Sequence, residues 1–238
     1  MNTSGGPVDR ATLEDLAASS RILADQGVFD AAGHVSLRHP GHPDRFLMSR
    51  SLAPQMITAD DIMEFDLDCN AIDPRGRNGF IERYLHGEIF RARPDVMAVA
   101  HSHSPSVIAF GLSGTPMQAM YHNAAFLAAG VPVFDIRKKF GVTDIVINTA
   151  AKGAALAQVL ADQPVALLRA HGMVAVGPTL PAAVFRAIFT VTSANIQHQA
   201  LALGGPLAVL DVEEGRIADV VNVQTVGRAW DLWKQRVT

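Results

Sequence analysis

One cysteine in 238 residues, Cys69, excludes a disulfide or a thiolate metal cluster within one chain. A metal held by this chain must therefore rely on imidazole and oxygen ligands. Long hydrophobic runs are also missing, since no window reaches the roughly eighteen uncharged apolar residues that a membrane-crossing helix needs. The opening "MNTSGGPVDRATLEDL" lacks a basic stretch followed by an apolar one, so no secretory leader, no membrane partner and a cytoplasmic location are expected. Basic charge is scarce: 20 Lys and Arg stand against 23 Asp and Glu, and no basic run exceeds Arg137-Lys138-Lys139. A surface that tracks nucleic-acid phosphates is not expected, and a small-molecule partner is. With 49% hydrophobic and 18% charged residues and no repeat, linker or low-complexity tract, residues 1–238 should form one domain around one substantial core.

The chain mixes strand and helix signals without a strict βαβ rhythm. Asp9 opens a helical pattern with Leu13, Leu16, Ala17, Ser20, Leu23 and Ala24 on one stripe, closed by Gly27. "GHVSLR" and "RFLMS" flank a Pro/Gly/His turn as a hairpin, and "IMEFDLDCNAID" adds a strand and a turn at Cys69. A helix from about Phe80, with Ile81, Leu85 and Ile89 on one stripe, should stop at Pro94. The run from Val96 to His103 is a strand, "SPSVIAFGLSG" a short helix, and "AAFLAAGVPVFD" a helix leading into a strand. An Ala-rich helix follows despite Gly153, then the strands "PVALLRA" and "MVAVG", then a long helix from Leu180 to Leu203. "PLAVLDVEEGRIADVV" reads as two strands around a turn at Glu213-Glu214-Gly215. Trp230 and Trp233 suit a C-terminal helix packed on the body or on a neighbouring subunit. The hairpins favour a largely antiparallel sheet covered by helices.

"VAHSHSP" places His101 and His103 on one face of a strand end, close enough to share a ligand. A second apolar run, "VALLRAHGMVAVG", delivers His171 beside a glycine that permits a sharp bend. Three imidazoles at strand ends make an open face, which suits a catalytic metal better than a closed structural site. Each histidine taken singly reads equally well as a strand cap.

"GHVSLR", Glu82 on its helix, "RPDVMAVAHSHS" and "LLRAHGMVAVG", taken together, resemble the class II aldolase/adducin family over residues 10 to 205. The resemblance implies a three-layer α/β/α sandwich around a mostly antiparallel sheet. It also implies a homotetramer with sites at subunit interfaces, and a divalent metal on His101, His103 and His171. Glu82 occupies the place of the family's acid/base carboxylate. Tyr121 and His122 lie near where the family supplies a proton donor from a neighbouring subunit. His86, four residues after Glu82, shares its helix face as a hydrogen-bond partner or a packing residue.

Departures from the sugar-phosphate aldolases narrow the reading. Where those enzymes carry "GNxS", a "TPTG"-like loop and a serine pair to cradle phosphate, this chain has Gly33-His34-Val35-Ser36, Met48-Ser49-Arg50-Ser51 and Phe80-Ile81. His34, Ser49 and Arg50 then stand as substrate-binding candidates, the guanidinium suiting a carboxylate. The same stretches are most similar to metal-dependent decarboxylases of hydroxylated aromatic and pyridine dicarboxylates. That branch implies manganese or zinc, with iron, cobalt or magnesium as alternatives. An aldolase acting on a non-phosphorylated hydroxy-oxo acid and a non-haem iron oxygenase are the competing enzyme readings. An adducin-like interaction module is disfavoured because all three histidines are present.

Overall fold

The computed structural model describes residues 4–238. Eight strands form one sheet: β1 (His34–Arg38), β2 (Arg45–Ser49), β3 (Ile62–Asp66), β4 (Ala71–Ile72), β5 (Ala98–Ser102), β6 (Val133–Phe134), β7 (Val165–Leu168) and β8 (Gly172–Gly177). Their order is β4-β3-β2-β1-β5-β8-β7-β6. Every pairing is antiparallel except β6 with β7, as the hairpin signals required. The helices are α1 (Arg10–Asp25), α2 (Arg83–Ala92), α3 (Pro105–Ser113), α4 (Arg137–Phe140), α5 (Ala150–Leu160), α6 (Leu180–Leu203), α7 (Val212–Val223) and α8 (Val226–Val237).

Period-two alternation divides the core between the two faces of the sheet. Ala98, Ala100, Met173 and Ala175 pack with residues of α1, α3, α6 and α8. Val99, Val174, Val176 and Ala166 pack on the other face with residues of α2 and α5. The result is the expected α/β/α sandwich. Gly153 has a packing reason, because a Cβ there would overlap the Tyr84 carbonyl oxygen where α5 lies on α2. Trp230 and Trp233 are buried, with Trp233 against Phe185 and Phe189 of α6. Cys69 sits in a turn, its thiol pushed up to about 12 by burial.

Three local readings are corrected. Neither strand read in "PLAVLDVEEGRIADVV" forms: residues 206–210 are irregular, and the segment after Leu210 is the helix α7, because Asp211 and Glu214 form a reciprocal capping box in which the Glu214 N–H donates to Asp211 and the Asp211 N–H to Glu214. Its Ile217, Val220, Val221 and Val223 remain exposed. The helix expected from Phe80 begins at Arg83, so Ile81 leaves the buried stripe and is 63% exposed. The bend before β8 falls on Ala170, with φ 55°, and not on Gly172. Gly172 is needed for another reason: a Cβ there would overlap the Ser102 carbonyl oxygen of β5. Among the described residues no helix is long and apolar enough to cross a membrane.

Gly172→Ala should therefore cost about 1–3 kcal/mol or more through overpacking, lowering Tm by about 2–12 °C. Gly227→Ala, where a Cβ meets nothing within 4 Å, is the control and should stay within about 1 kcal/mol of wild type. Equal melting of the two variants would contradict the tight β5–β8 approach.

Candidate active site

The sheet brings the two apolar runs side by side, and their histidines converge. His101 lies inside β5, between His34 of β1 and Val174 of β8, and is fully buried. His103 follows one residue past the strand end. His171 is delivered by the tight turn after β7, where its N–H donates to the Leu168 carbonyl at 3.1 Å. Glu82 stands immediately before α2 rather than on it, and its Oε1 accepts from the Ile147 N–H at 2.9 Å.

The donor set can be tested for a metal from its hydrogen bonds. His101 Nδ1 lies 2.9 Å from the Met173 carbonyl and His171 Nδ1 lies 2.9 Å from the Ile145 carbonyl. Carbonyls only accept, so both Nδ1 atoms carry the proton and both Nε2 atoms turn a lone pair inward. Each of those Nε2 atoms is 3.0 Å from His103 Nε2, which carries at most one proton and cannot satisfy both. Glu82 Oε2 adds a fourth inward acceptor, 3.4 Å from the Nε2 atoms of His101 and His171 and 3.8 Å from that of His103. A divalent cation matches all four lone pairs, and the four ligand atoms lie within 4.8 Å of one another. Three imidazoles and one carboxylate suit zinc, manganese or iron.

Charge follows from the same packing. Burial acts to raise the Glu82 carboxyl, but without a cation any proton held on the inward Nε2 atoms of His101, His103 and His171 is donated to it, and these bonds hold the group well below the usual carboxylate range. Burial lowers His101, which favours the neutral imidazole a metal requires. At His171 burial also acts downward, but Glu82 and the Ile145 carbonyl outweigh it and raise the ring.

Beside this cluster opens a cavity of about 710 Å³ whose polar lining includes His34, Ser51, Asn78, Glu82, His103 and His171. Its size suits a small aromatic or sugar-like molecule. Of the residues singled out from sequence, the cavity gathers His34, Glu82, His103 and His171. Ser49 is buried within β2, and its near neighbour Ser51 lines the cavity instead. Arg50 pairs backbone with Gly79, while its Nε donates to Asp61 Oδ1 at 2.7 Å and its side chain stays 42% exposed, outside the cavity lining. Tyr121 packs on Phe189 of α6, where burial pushes its phenol up to about 12. His122 is bonded to Asn222 of α7, so neither reaches the cavity of its own chain. His86 bonds to His34 and Ser36 and not to Glu82.

Sequence reasoning missed the segment from Ile145 to Ile147. One of its residues anchors His171 and another anchors Glu82 through the main chain, and Val146 lines the cavity. Backbone contacts leave no mark on residue type, so only the short β-branched apolar run in "DIVIN" hinted at an ordered segment.

Comparison with known proteins identifies the family and the fold. A protein named Decarboxylase tropJ from Talaromyces stipitatus is 34% identical, over 91% of this chain and 90% of the relative. A 3,4-dihydroxyphthalate decarboxylase from Arthrobacter keyseri is 30% identical, over 97% and 96%. The crystal structure of an aldolase II superfamily protein from Pseudomonas syringae superposes with a TM-score of 0.81 at 23% identity, covering 98% of this chain and 94% of that one, and so shares the fold. Residues 14–198 match the family described as Class II Aldolase and Adducin N-terminal domain, and the chain belongs to that family.

Proposed function

We propose that this chain is a metal-dependent decarboxylase of a hydroxylated aromatic or pyridine dicarboxylate. The observation that carries the reading is the Glu82, His101, His103 and His171 cluster opening onto a cavity, in a chain whose similar relatives are named decarboxylases. His101, His103 and His171 hold the metal, with Glu82 beside them. A divalent ion there supplies a Lewis acid that draws electron density from a ring oxygen and its neighbouring carboxylate.

Glu82 performs the proton transfers. With Oε1 fixed by the Ile147 N–H, it takes the proton of the ring hydroxyl and delivers it to the ring carbon that bears the departing carboxylate. The carbon–carboxylate bond then breaks, its electron pair returns through the ring to the oxygen, and a solvent proton restores the hydroxyl. The apolar walls Phe80, Leu52 and Val146 limit water around the ring. Arg50, next in sequence to the cavity-lining Ser51, would reach in to grip the carboxylate that is retained, since among the described residues only the Nε of its side chain is engaged, by Asp61.

The subunit arrangement belongs to the same proposal. Tyr121 and His122 lie outside their own chain's cavity, so a protonating role for either requires a site shared between subunits of a homotetramer. The exposed apolar residues of α7 suit such an assembly.

Three outcomes are expected. Replacing His101, His103 or His171 with alanine should remove most of the bound metal measured by elemental analysis, and chelation of the wild type should abolish turnover; stoichiometric metal in all three variants contradicts the assignment. Glu82→Gln should keep fold and metal but slow CO2 release by roughly 10²-fold or more, whereas a rate within a few-fold of wild type would move the proton transfer elsewhere. Arg50→Ala should lower kcat/KM for a dicarboxylate about 10- to 150-fold and for a monocarboxylate analogue far less. A screen of hydroxylated phthalates and pyridine dicarboxylates that yields aldehyde, or consumes oxygen, in place of CO2 would overturn the decarboxylase reading.

A further inference from the structure

Behind the cavity wall runs a buried polar chain that the proposed chemistry does not use. His34 Nδ1 lies 2.7 Å from His86 Nε2, and His86 Nδ1 lies 2.6 Å from Ser36 Oγ. His34 and Ser36 are two residues apart on β1 and so share the face that α2 covers with His86. None of the three is more than 2% exposed. His34 alone reaches the cavity, its ring against Phe80, and it stands outside the group of four that could hold a metal.

Both rings are buried and, among the described residues, neither bonds a carboxylate that would stabilise an imidazolium, so both are neutral. A neutral imidazole carries one proton, and the chain can then be threaded in only two ways. In the first, the Ser36 hydroxyl donates to His86 Nδ1, His86 Nε2–H donates to His34 Nδ1, and His34 carries its proton on Nε2. In the second, His34 Nδ1–H donates to His86 Nε2 and His86 Nδ1–H donates to Ser36 Oγ. That leaves the Ser36 hydroxyl proton without an acceptor, because among the described residues Ser36 Oγ has no other partner. A buried, unbonded hydroxyl donor is costly, and the first threading leaves none.

We infer that Ser36 and His86 are positioning residues that hold His34 as its Nε2–H tautomer, so that His34 donates a hydrogen bond to an anionic oxygen of the molecule in the cavity. A sugar phosphate, a carboxylate and a phenolate all present such an oxygen; the choice of a carboxylate rests on the decarboxylase reading. An acceptor tautomer would instead face that oxygen lone pair to lone pair. The chain thus favours an anionic oxygen by a neutral donor, adding no formal positive charge beyond that of the metal.

The test is read on zinc-loaded protein carrying ¹⁵N-labelled histidine, where long-range ¹H–¹⁵N correlations report which ring nitrogen is protonated. His34 should show a bare Nδ1 and a protonated Nε2, and Ser36→Ala should convert it to a mixture of tautomers. A proton on His34 Nδ1, or on both nitrogens, overturns the proposal. Binding is read by calorimetry with phthalate, which keeps two carboxylates but lacks the ring hydroxyl. His34→Phe should weaken phthalate about 10-fold or more, His34→Gln should restore most of the affinity, and Ser36→Ala and His86→Phe should weaken it at unchanged zinc content. Variants of Ser36 and His86 that lower Tm but leave phthalate affinity intact would show mere packing and overturn the positioning role. Wild type that does not bind phthalate, or that releases no CO2 from any dicarboxylate, counts against the function alone, because the tautomer measurement still decides this proposal.

Discussion

Two backbone carbonyls set the chemistry of this protein. Met173 O and Ile145 O each accept a hydrogen bond from the Nδ1 of a histidine, His101 fully buried and His171 half-buried, and each thereby turns an Nε2 lone pair toward the same point. With His103 and Glu82 added, the centre is a ring of acceptors with too few protons to go round. Such a ring is unfavourable alone and well matched to a cation, so the capacity to hold a metal is written into the main-chain hydrogen bonds as much as into the side chains.

The fold serves that constraint. Met173 belongs to β8, whose first residue must be glycine to approach Ser102 of β5, so the spacing between the histidine-bearing strands depends on one missing Cβ. Ile145 belongs to a short segment whose next-but-one residue, Ile147, also steadies Glu82. The carboxylate and the third histidine are therefore placed by one piece of chain. The two faces of the sheet divide the labour: α1, α3, α6 and α8 cover one, while α2 and α5 cover the face from which His34, Ser36 and His101 project.

Much of this was legible in the residues. The His-x-His strand end and the His171 turn follow from period-two geometry and an apolar run, and the long helix α6 runs from Leu180 to Leu203 as its pattern demands. The resemblance to the class II aldolase/adducin family came from the same motifs, and the match over residues 14–198 bears it out. What could not be read was contact through the main chain and contact between distant elements. Helical spacing suggested that His86 faces Glu82, yet with Glu82 ahead of the first helical turn that spacing does not apply, and His86 meets β1 instead. The capping box of Asp211 and Glu214 was visible in the sequence, and the flanking valines and leucines concealed it behind a strand pattern. Arg50 stood out because it occupies the place of a phosphate-cradling loop in the resembled family, but only the structure shows that it lies outside the cavity lining, paired with Asp61.

The central claim is that one divalent cation sits among the Nε2 atoms of His101, His103 and His171 beside Glu82. The most direct measurement is a crystal structure of protein purified without added metal, with diffraction recorded on both sides of the absorption edge of each candidate ion. The account predicts one anomalous peak, bonded to all three Nε2 atoms, with His101 and His171 still donating from Nδ1 to the Met173 and Ile145 carbonyls. A metal bound elsewhere, or through an Nδ1 atom after either ring has turned from its carbonyl, would contradict it.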